Sequence, residues 1–378
     1  GKSWIVMYDC YGSGHYQFCR SADLKTFEVV ANTATRGKFT PRHGTIIPIT
    51  QAEKDRLLKA FPNYRNPILP DYHADPEILY SNKTKKYYIY STTDGYPGWG
   101  GWTFNVFSSP DLKTWTDEGT VLDVKSDQVK WAKGNAWAPA AIEVKQKDGS
   151  YKYFLYFSAD AGKRKEIGVA VSDSPTGPFI DNGAPIISDS PVGRGQQIDV
   201  DVFIDPKSKK PYIYWGNGYM AGAQLNSDMV SIKKESIKVM TPEGGTKQTW
   251  QFREAPYVFY RKGTYYCLSS VDDTGSPNYH VCYGTAKSPL GPITVAENPI
   301  ILKQVPELGI YGTAHNSVLQ IPGKDEWYIV YHRINKHFLH PDKGPGIHRE
   351  VCIDRMFFDK KGNIIPVIPT LNGPLDNK

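Results

Sequence analysis

Three acidic residues stand at the starts of predicted strands that lie far apart in the sequence. Asp75 opens the strand in HADPEILY, Asp199 precedes the strand in IDVDVFID, and Glu254 leads the strand in REAPYVFY. A single Asp before Pro is usually a turn residue, whereas three acids at comparable strand positions favour a shared chemical role. Asp201, two residues after Asp199, competes with it for the middle position.

The chemistry that such acids support is acid–base catalysis. Glycoside hydrolysis uses two carboxyl groups in different protonation states, one that protonates the leaving oxygen and one that activates water. A third acid near the proton donor raises the donor's pKa, because two close negative charges oppose each other. We expect the acid and base to stand about 6.5–9.5 Å apart in an inverting enzyme and about 5 Å apart in a retaining one.

A recurring aromatic and aliphatic run predicts the elements that would position these acids. The run recurs about every 60 residues, which is typical of repeat architectures. Its copies are Tyr87–Asp94, Tyr153–Asp160, Tyr212–Tyr219, Tyr265–Asp272 and Trp327–Ile334. Several copies precede a short strand that ends in a Ser-Pro or Asp-Leu turn. The pattern predicts an all-β fold, a five-bladed β-propeller whose innermost strands converge on one pocket. A β-sandwich is the alternative, but it does not explain so long a period.

The beginning of the chain carries a further, partial copy of the repeat. WIVMYDCY at Trp4–Tyr11 and CRSADLKTFEVV at Cys19–Val30 match the strand and turn patterns. We therefore expect an extra N-terminal blade-like segment or accessory piece at 1–63 and the catalytic propeller domain at 64–378. The segment Gln51–Phe61 is the best candidate for an amphipathic helix.

Composition excludes several classes of protein. The net charge of +6 is spread along the chain without a Lys/Arg block, so nucleic acid is not expected as a partner. The five cysteines show no zinc-binding spacing, and buried free thiols are expected, although Cys267 and Cys282 flank a predicted hairpin. No apolar run reaches the roughly 20 residues of a membrane span. Aromatic residues make up 13% of the chain, which suits a strand-rich core as well as sugar-binding surfaces.

The abrupt start at GKSWIVMYDC resembles that of a trimmed or mature protein. Such a start means that a missing signal peptide says little about export. Independently of it, a secreted or periplasmic location in a bacterium is expected rather than a cytoplasmic one.

Five segments together resemble glycoside hydrolase family 43. They are HADP, IDVDVF, REAPYVFY, GTAHNSV and HREVCIDRM, and the resemblance covers about residues 66–370. It implies a five-bladed propeller of inverting enzymes that act on arabinose-, xylose- and some galactose-containing glycans. By the same resemblance, Asp75 is the general base, Glu254 the general acid, and Asp199 the acid that tunes the donor's pKa. The chain departs from the family pattern with Val200 in place of Pro and Ala255 in place of Gly.

Further site residues follow from the resemblance and from local sequence. The resemblance implies a divalent ion such as calcium near His315, substrate contact by Arg349, and a pocket wall at Trp137. Taken alone, His315 fits a structural histidine, and Arg349 fits an ion pair with Glu350, Asp354 or the middle acid. From local sequence we also expect Trp102, in a Gly-rich loop, to stack on a sugar and His73 to border the pocket.

The leading functional hypothesis is an exo-acting glycosidase that releases α-L-arabinofuranose or β-D-xylose from plant polysaccharides or oligosaccharides. Within the same family, a β-galactofuranosidase, a galactan-active enzyme and an endo-arabinanase are the alternatives. A catalytically inactive sugar-binding propeller is the alternative from another class. A scaffold propeller of the WD40 kind would lack any need for the three acids and would carry Trp-Asp blade endings.

Overall fold

Antiparallel sheets joined by turns and loops make up nearly all of the residues that the structure describes, which confirms the all-β prediction. The computed structural model describes residues 4–10, 15–32, 49–53, 56, 66–193, 195–243, 245–246, 250–336 and 348–375. Residues 51–53 and 56 of the predicted helix are helical, and the rest of that helix lies outside the described residues. The chain divides into two units, Gly1–Tyr64 with Pro70–Tyr72, and Arg65–Leu69 with His73–Lys378.

The first unit contains a three-stranded antiparallel sheet. Its strands are β1 (Trp4–Cys10), β2 (His15–Ser21) and β3 (Glu28–Asn32). The turn after β2 repeats a turn of the second unit in detail. Asp23 accepts hydrogen bonds from the backbone N–H groups of Lys25 and Thr26. Asp111 accepts the equivalent hydrogen bonds from Lys113 and Thr114. Leu24 and Leu112 both adopt positive φ, 59° and 64°. These two turns therefore share their backbone conformation and their hydrogen bonds.

The described residues of the second unit form five four-stranded antiparallel sheets. The first sheet comprises β4 (His73–Tyr80), β5 (Tyr87–Thr93), β6 (Thr103–Ser109) and β7 (Thr116–Asp123), and the second comprises β8 (Gly134–Lys145), β9 (Tyr151–Asp160), β10 (Lys165–Ser172) and β11 (Ile180–Asp181). The third comprises β12 (Asp201–Ile204), β13 (Pro211–Trp215), β14 (Ala221–Gln224) and β15 (Lys238–Val239), and the fourth comprises β16 (Glu254–Arg261), β17 (Thr264–Val271), β18 (His280–Ala286) and β19 (Thr294–Leu302). The fifth comprises β20 (Tyr311–Gln320), β21 (Trp327–Ile334), β22 (Arg349–Phe358) and β23 (Ile364–Ile365). The aromatic runs of the repeat form the second strand of every sheet.

The first strands of the five sheets contact one another in cyclic order. The strands β4, β8, β12, β16 and β20 are in sequential contact, and β20 contacts β4. One residue in or just before each of these strands has positive φ and donates its backbone N–H to a side chain in the preceding sheet or in the segment that leads into that sheet. These residues are Asp75, Ala138, Asp199, Ala255 and His315. The repeated backbone conformation brings equivalent points of distant segments to the same ring of contacts.

Five apolar clusters fill the spaces between neighbouring sheets, one for each pair of sheets in the cycle. Their largest fully buried side chains are aromatic and include Trp215, Trp250, Tyr90, Tyr156 and Tyr214. Burial of such rings is worth several kcal/mol each by area, so most of the aromatic content serves the core.

The five cysteines, all among the described residues, form no disulfide with one another. Cys267 and Cys282 lie on the adjacent strands β17 and β18, but Cys267 pairs with Gly284 and Cys282 with Ser269, so they are not directly opposed. Burial raises the pKa of both thiols to about 12, which keeps them protonated and unreactive. Within the described residues, no helix is long and apolar enough to cross a membrane.

Candidate active site

A cavity of about 190 Å³ in the second unit brings together six of the eight predicted site residues. These six are Asp75, Trp137, Asp199, Glu254, His315 and Arg349. The other described lining residues are Trp99, Gln196, Ile198, Asn217, Arg253, Asp273 and Thr274. Every one of the five sheets, or a loop beside it, contributes to this lining, which explains why residues from distant segments meet.

The left-handed backbone positions direct the acids into the cavity. Asp75 and Asp199 themselves have positive φ, 51° and 60°, whereas Glu254 precedes the equivalent residue, Ala255, with φ 56°. The pairing register of β4 and of β16 shifts at these points, as expected for bulges that redirect side chains beside functional sites. The three acids thus occupy comparable positions, but Glu254 is offset by one residue from the other two.

Asp75 is held as an anion by a cluster of donors. Its carboxylate accepts a hydrogen bond from Arg349 Nη1 at 2.9 Å and lies 3.1 Å from the Nδ1 atoms of both His315 and His332. Thr92 donates to the other oxygen at 2.8 Å. Burial alone would raise the pKa of Asp75, but Arg349, together with the two histidines, holds that pKa well below its ordinary value. Asp75 is therefore ionised at neutral pH and able to accept a proton.

Glu254 has the opposite protonation behaviour. Tyr279 donates to its Oε1 at 2.9 Å and Asn217 to its Oε2 at 2.7 Å, while Arg253 Nε lies 3.7 Å from Oε2. Burial, assisted by the negative charges of Asp273 and Asp75, raises the pKa of Glu254 to about 7 even though Arg253 and Tyr279 oppose the shift. A substantial fraction of Glu254 therefore carries a proton near neutral pH and can donate it.

The geometry separates Asp199 from Asp201. Asp199 lines the cavity and accepts the Ala255 N–H at 3.1 Å, whereas Asp201 lies outside the described lining and accepts the Val258 N–H at 2.8 Å. Burial and the neighbouring Glu254 raise the pKa of Asp199 well above its ordinary value. Asp199 and Glu254 thus form a pair that resists carrying two negative charges, and Asp199 is the middle acid that faces the site.

Arg349 pairs with acids other than those considered from sequence. Its Nε and backbone N–H donate to Asp94 Oδ2 at 3.0 and 2.8 Å, and its Nη1 reaches Asp75. The predicted alternatives, Glu350 and Asp354, bond other residues. The two partners bracket the guanidinium, so the pKa of Arg349 stays above its usual range despite burial, and the charge beside Asp75 is permanent. Asp94 gave no sequence signal beyond its place at the end of a repeat strand.

Trp99, rather than Trp102, reaches the cavity. Trp99 has a strained φ of 60°, and its carbonyl accepts hydrogen bonds from Trp137 Nε1 at 2.8 Å and Asn135 Nδ2 at 2.9 Å. Trp102 is not among the described lining residues, since it packs against the apolar cluster between the first two sheets, with Lys125 Nζ 4.1 Å from its ring. Glycines flank Trp99 on both sides in GWGG. The Gly-rich loop, which led us to expect that Trp102 stacks on a sugar, therefore indicated Trp99 equally.

His73 is also outside the described lining. Its Nδ1 lies 3.0 Å from Ser91 Oγ, and its ring packs edge-on against Phe107 at 4.9 Å. Residues two apart in a strand normally share a face, but the positive φ of Asp75 and the adjacent register shift break that alternation. Sequence reasoning missed His332, which contacts Asp75 from within a repeat strand.

The described residues supply few direct ligands for calcium. Among them, no group of three or more His, Cys, Asp or Glu side chains is arranged to hold a metal ion. His315 directs Nδ1 toward Asp75, and burial lowers the pKa of its imidazole to about 4, so the ring is neutral. Calcium takes about 6–8 oxygen ligands, and a calcium ion near His315 would need water for most of them.

Comparison with known proteins connects this site to carbohydrate chemistry. The profile of glycosyl hydrolases family 43 matches residues 64–364. The β-D-galactofuranosidase xynD of Aspergillus niger is 33% identical over 339 residues, which cover 87% of this chain and 93% of that protein. The arabinoxylan arabinofuranohydrolase of Bacillus subtilis is 29% identical over 82% of this chain, which spans 65% of that protein's length. A solved β-xylosidase/α-arabinofuranosidase from a compost microbial metagenome, in a calcium-free complex with xylotriose, has a TM-score of 0.64 and 28% identity, covering 79% of this chain and 95% of that one.

Proposed function

We propose that this chain, which belongs to glycosyl hydrolases family 43 and is a glycoside hydrolase, removes single terminal sugars with inversion of configuration. In this proposal Asp75 is the general base, Glu254 the general acid, and Asp199 the acid that raises the donor's pKa and orients the sugar. Arg349, Trp137 and Trp99 contact the sugar.

One observation carries the proposal: two carboxyl groups in a single cavity have pKa values shifted in opposite directions. Asp75 lies beside a permanent guanidinium charge, whereas Glu254 is buried near other carboxylates. At a single pH the general acid must be protonated and the general base ionised, and these opposite pKa shifts meet both requirements. Water activated by Asp75 would attack the anomeric carbon while Glu254 protonates the departing oxygen, and the glycosidic C–O bond breaks.

The size of the cavity favours exo action. Binding sites for whole drug-sized ligands occupy about 300–1,000 Å³. A cavity of about 190 Å³ suits one sugar ring better than several consecutive units of a chain. An endo-arabinanase would need a groove that admits substrate on both sides of the cleaved bond.

The sugar is proposed to be α-L-arabinofuranose or β-D-xylose, as the arabinofuranohydrolase and the xylosidase relatives suggest. The galactofuranosidase relative favours β-D-galactofuranose as a second candidate. Aryl glycosides of the three sugars distinguish these candidates directly. Proton NMR of the first-formed product would reveal inversion, and a product that retains the substrate's anomeric configuration would contradict it. Binding of these sugars without any hydrolysis would instead support a non-catalytic sugar-binding protein.

The architecture proposed for the catalytic domain, residues 64–378, is a five-bladed β-propeller, with residues 1–63 as a blade-like accessory segment. Five four-stranded sheets and the cyclic contacts of their first strands support it. We also propose a secreted or periplasmic location in a bacterium, because polymeric substrates lie outside the cell. Fractionation of the source cells would test the location.

A hydrated divalent ion near His315 is a further proposal. The imidazole would supply one ligand and water the others, with calcium as the first candidate. Elemental analysis of the purified protein, and its thermal unfolding with and without a chelator, would test this independently of activity. Absence of metal together with an unchanged Tm in chelator would contradict it.

A further inference from the structure

Asp94 lies immediately after β5, where the loop that carries Trp99 begins. Its side chain is 3% exposed, and Asp94 is not among the described residues that line the cavity of the three acids. Its carboxylate accepts three N–H groups of Arg349, from the backbone at 2.8 Å, from Nε at 3.0 Å and from Nη2 at 3.4 Å. Asp94 therefore reaches the site through Arg349 rather than by touching a substrate.

Arg349 divides its donors between two carboxylates. One edge of the guanidinium, formed by Nε and Nη2, faces Asp94. From the other side, Nη1 donates to Asp75 Oδ1 at 2.9 Å and to Thr274 Oγ1 at 3.2 Å. Because the guanidinium is planar and rigid, its contact with Asp94 on one edge sets the direction of Nη1 on the other. The orientation of the Asp75 carboxylate thus depends on Asp94 through Arg349.

Asp94 holds the main chain of Arg349 as well as its side chain. Arg349 is the first residue of β22 in the fifth sheet, whereas Asp94 follows β5 of the first sheet. The same carboxylate oxygen accepts the backbone N–H and Nε, so both ends of the Arg349 side chain are held from one point. The side chain of Arg349 is only 5% exposed, so little water competes for these charge-assisted hydrogen bonds.

The next copy of the repeat shows a related but different arrangement. Asp160 ends the run YFLYFSAD as Asp94 ends YYIYSTTD. Asp160 Oδ2 lies 3.7 Å from Lys165 Nζ, which lies 4.0 Å from the centre of the Trp137 ring. Of the two cations that these repeat acids hold, Arg349 is the one that lines the cavity and donates to Asp75. The repeat position supplies an anion behind a cation in both sheets, and Asp94 is the copy that reaches the general base.

We propose that Asp94 is a positioning residue of the hydrolysis, which holds Arg349 in the orientation that fixes the Asp75 carboxylate. This inference rests on the proposed function, in which Asp75 takes a proton from water while the water oxygen adds to the anomeric carbon. That step requires one carboxylate oxygen to stay directed at the water. Displacement of a catalytic group by about 1 Å costs on the order of 10²-fold in rate, so loss of the contact on the far edge of Arg349 slows the reaction.

A double-mutant cycle tests this role. Asp94→Asn is introduced into the wild type and into Arg349→Lys, whose lysine keeps the positive charge but lacks the planar fork that Asp94 orients. The substrate is the para-nitrophenyl glycoside that the wild type hydrolyses fastest, among those of α-L-arabinofuranose, β-D-xylose and β-D-galactofuranose. Asp325→Asn is the matched control, because Asp325 binds Nε and Nη2 of Arg261 in the same way at an exposed position outside the cavity.

We expect Asp94→Asn to lower kcat about tenfold or more in the wild-type background, with a smaller change in KM. In the Arg349→Lys background the same substitution should change kcat less than about twofold, because Asp94 acts through the guanidinium. Asp325→Asn should leave kcat unchanged. Equal losses from Asp94→Asn in both backgrounds would show a structural role independent of Arg349 and would overturn the inference, as would an unchanged kcat in the wild-type background.

Asp94→Glu decides the matter if Asp94→Asn does not fold, which thermal unfolding would show. Glutamate keeps the negative charge beside Arg349 but displaces the carboxylate by one methylene, so kcat should fall while Tm stays near that of the wild type. A wild-type kcat in Asp94→Glu would overturn the inference. Either contrary result leaves the proposed function intact, whereas a wild-type protein that hydrolyses none of the three glycosides would contradict the proposed function itself.

Discussion

At the scale of single residues, the environment of each carboxyl group explains why chemically similar side chains take different roles. Asp75 and Glu254 are both buried, and burial disfavours the charged form of both. Only Asp75 has a guanidinium at 2.9 Å, and this contact reverses the effect of burial. The sequence alone suggests that the acids meet, but it does not show the contacts that set their charges, because Arg349 and His332 reach Asp75 from a different sheet.

The pH dependence of kcat/KM follows from these environments. The rate should fall as the pH rises through about 7, because Glu254 loses its proton there. Tyr279 donates to Glu254 and stabilises the carboxylate, so Tyr279→Phe should move this fall to higher pH. Tyr88→Phe, whose hydroxyl contacts Thr84 away from the site, is the control. A pH profile unchanged by Tyr279→Phe would remove Glu254 from the role of acid.

Trp99 and Trp102 form a natural comparison within one loop. Trp99→Leu should lower kcat/KM by about tenfold through loss of ring contact with the sugar, equivalent to ~1.4 kcal/mol. Trp102→Leu should mainly lower Tm, because Trp102 packs against the core. Steady-state kinetics and thermal unfolding of both variants distinguish the two roles. The reverse pattern would show that Trp102 contacts the substrate.

At the scale of strands and turns, the sequence predicts the repeat because its aromatic runs form the second strand of every one of the five sheets. The acids at the first strands were found for the same reason. The sequence does not predict the one-residue offset of Glu254 or the orientation of His73. Both depend on which residue of the strand adopts positive φ. Such a turn leaves no mark when the residue there is Asp, Ala or His rather than Gly.

Ala255 is the position where this backbone conformation can be tested. A left-handed conformation costs an L-residue about 1–2 kcal/mol, whereas glycine adopts it freely at some entropic cost. Ala255→Gly should therefore raise the free energy of unfolding by about 0.5–1 kcal/mol, measured by denaturant unfolding. Ala136→Gly, at a buried strand position without positive φ, should lower it. A loss of stability in Ala255→Gly would contradict the assigned conformation.

At the scale of the whole molecule, converging strands bring together acids that catalysis does not use. Asp201 on β12 and Glu77 on β4 are buried and interact electrostatically, and burial is the main cause that raises the pKa of both, that of Asp201 to about 7. An acid whose pKa is raised by folding favours the folded state below its unfolded pKa. That stability is lost as the pH rises from about 4 to about 7.

Asp201→Asn should remove this loss. The free energy of unfolding of the variant relative to that of the wild type should increase between pH 4 and pH 7, by on the order of 1 kcal/mol per unit of pKa shift. Tm measured for both proteins at each pH should show the same trend. An amide oxygen can still accept the Val258 N–H, so the strand contact is kept. Asp205→Asn, which removes a carboxylate whose pKa is lowered by turn hydrogen bonds, should instead destabilise the protein at neutral pH. A parallel pH dependence for wild type and Asp201→Asn would contradict the raised pKa.

The most direct test of the account compares Glu254→Gln and Asp75→Asn on aryl glycosides whose leaving groups differ in acidity. A good leaving group needs no protonation, so Glu254→Gln should retain much of its activity on such a substrate and lose about 10²–10⁴-fold on a poor one. Asp75→Asn should lose a similar factor on both, because every substrate needs an activated water. If the loss in Glu254→Gln does not depend on the leaving group, then Glu254 is not the proton donor and the division of roles between the two acids is wrong.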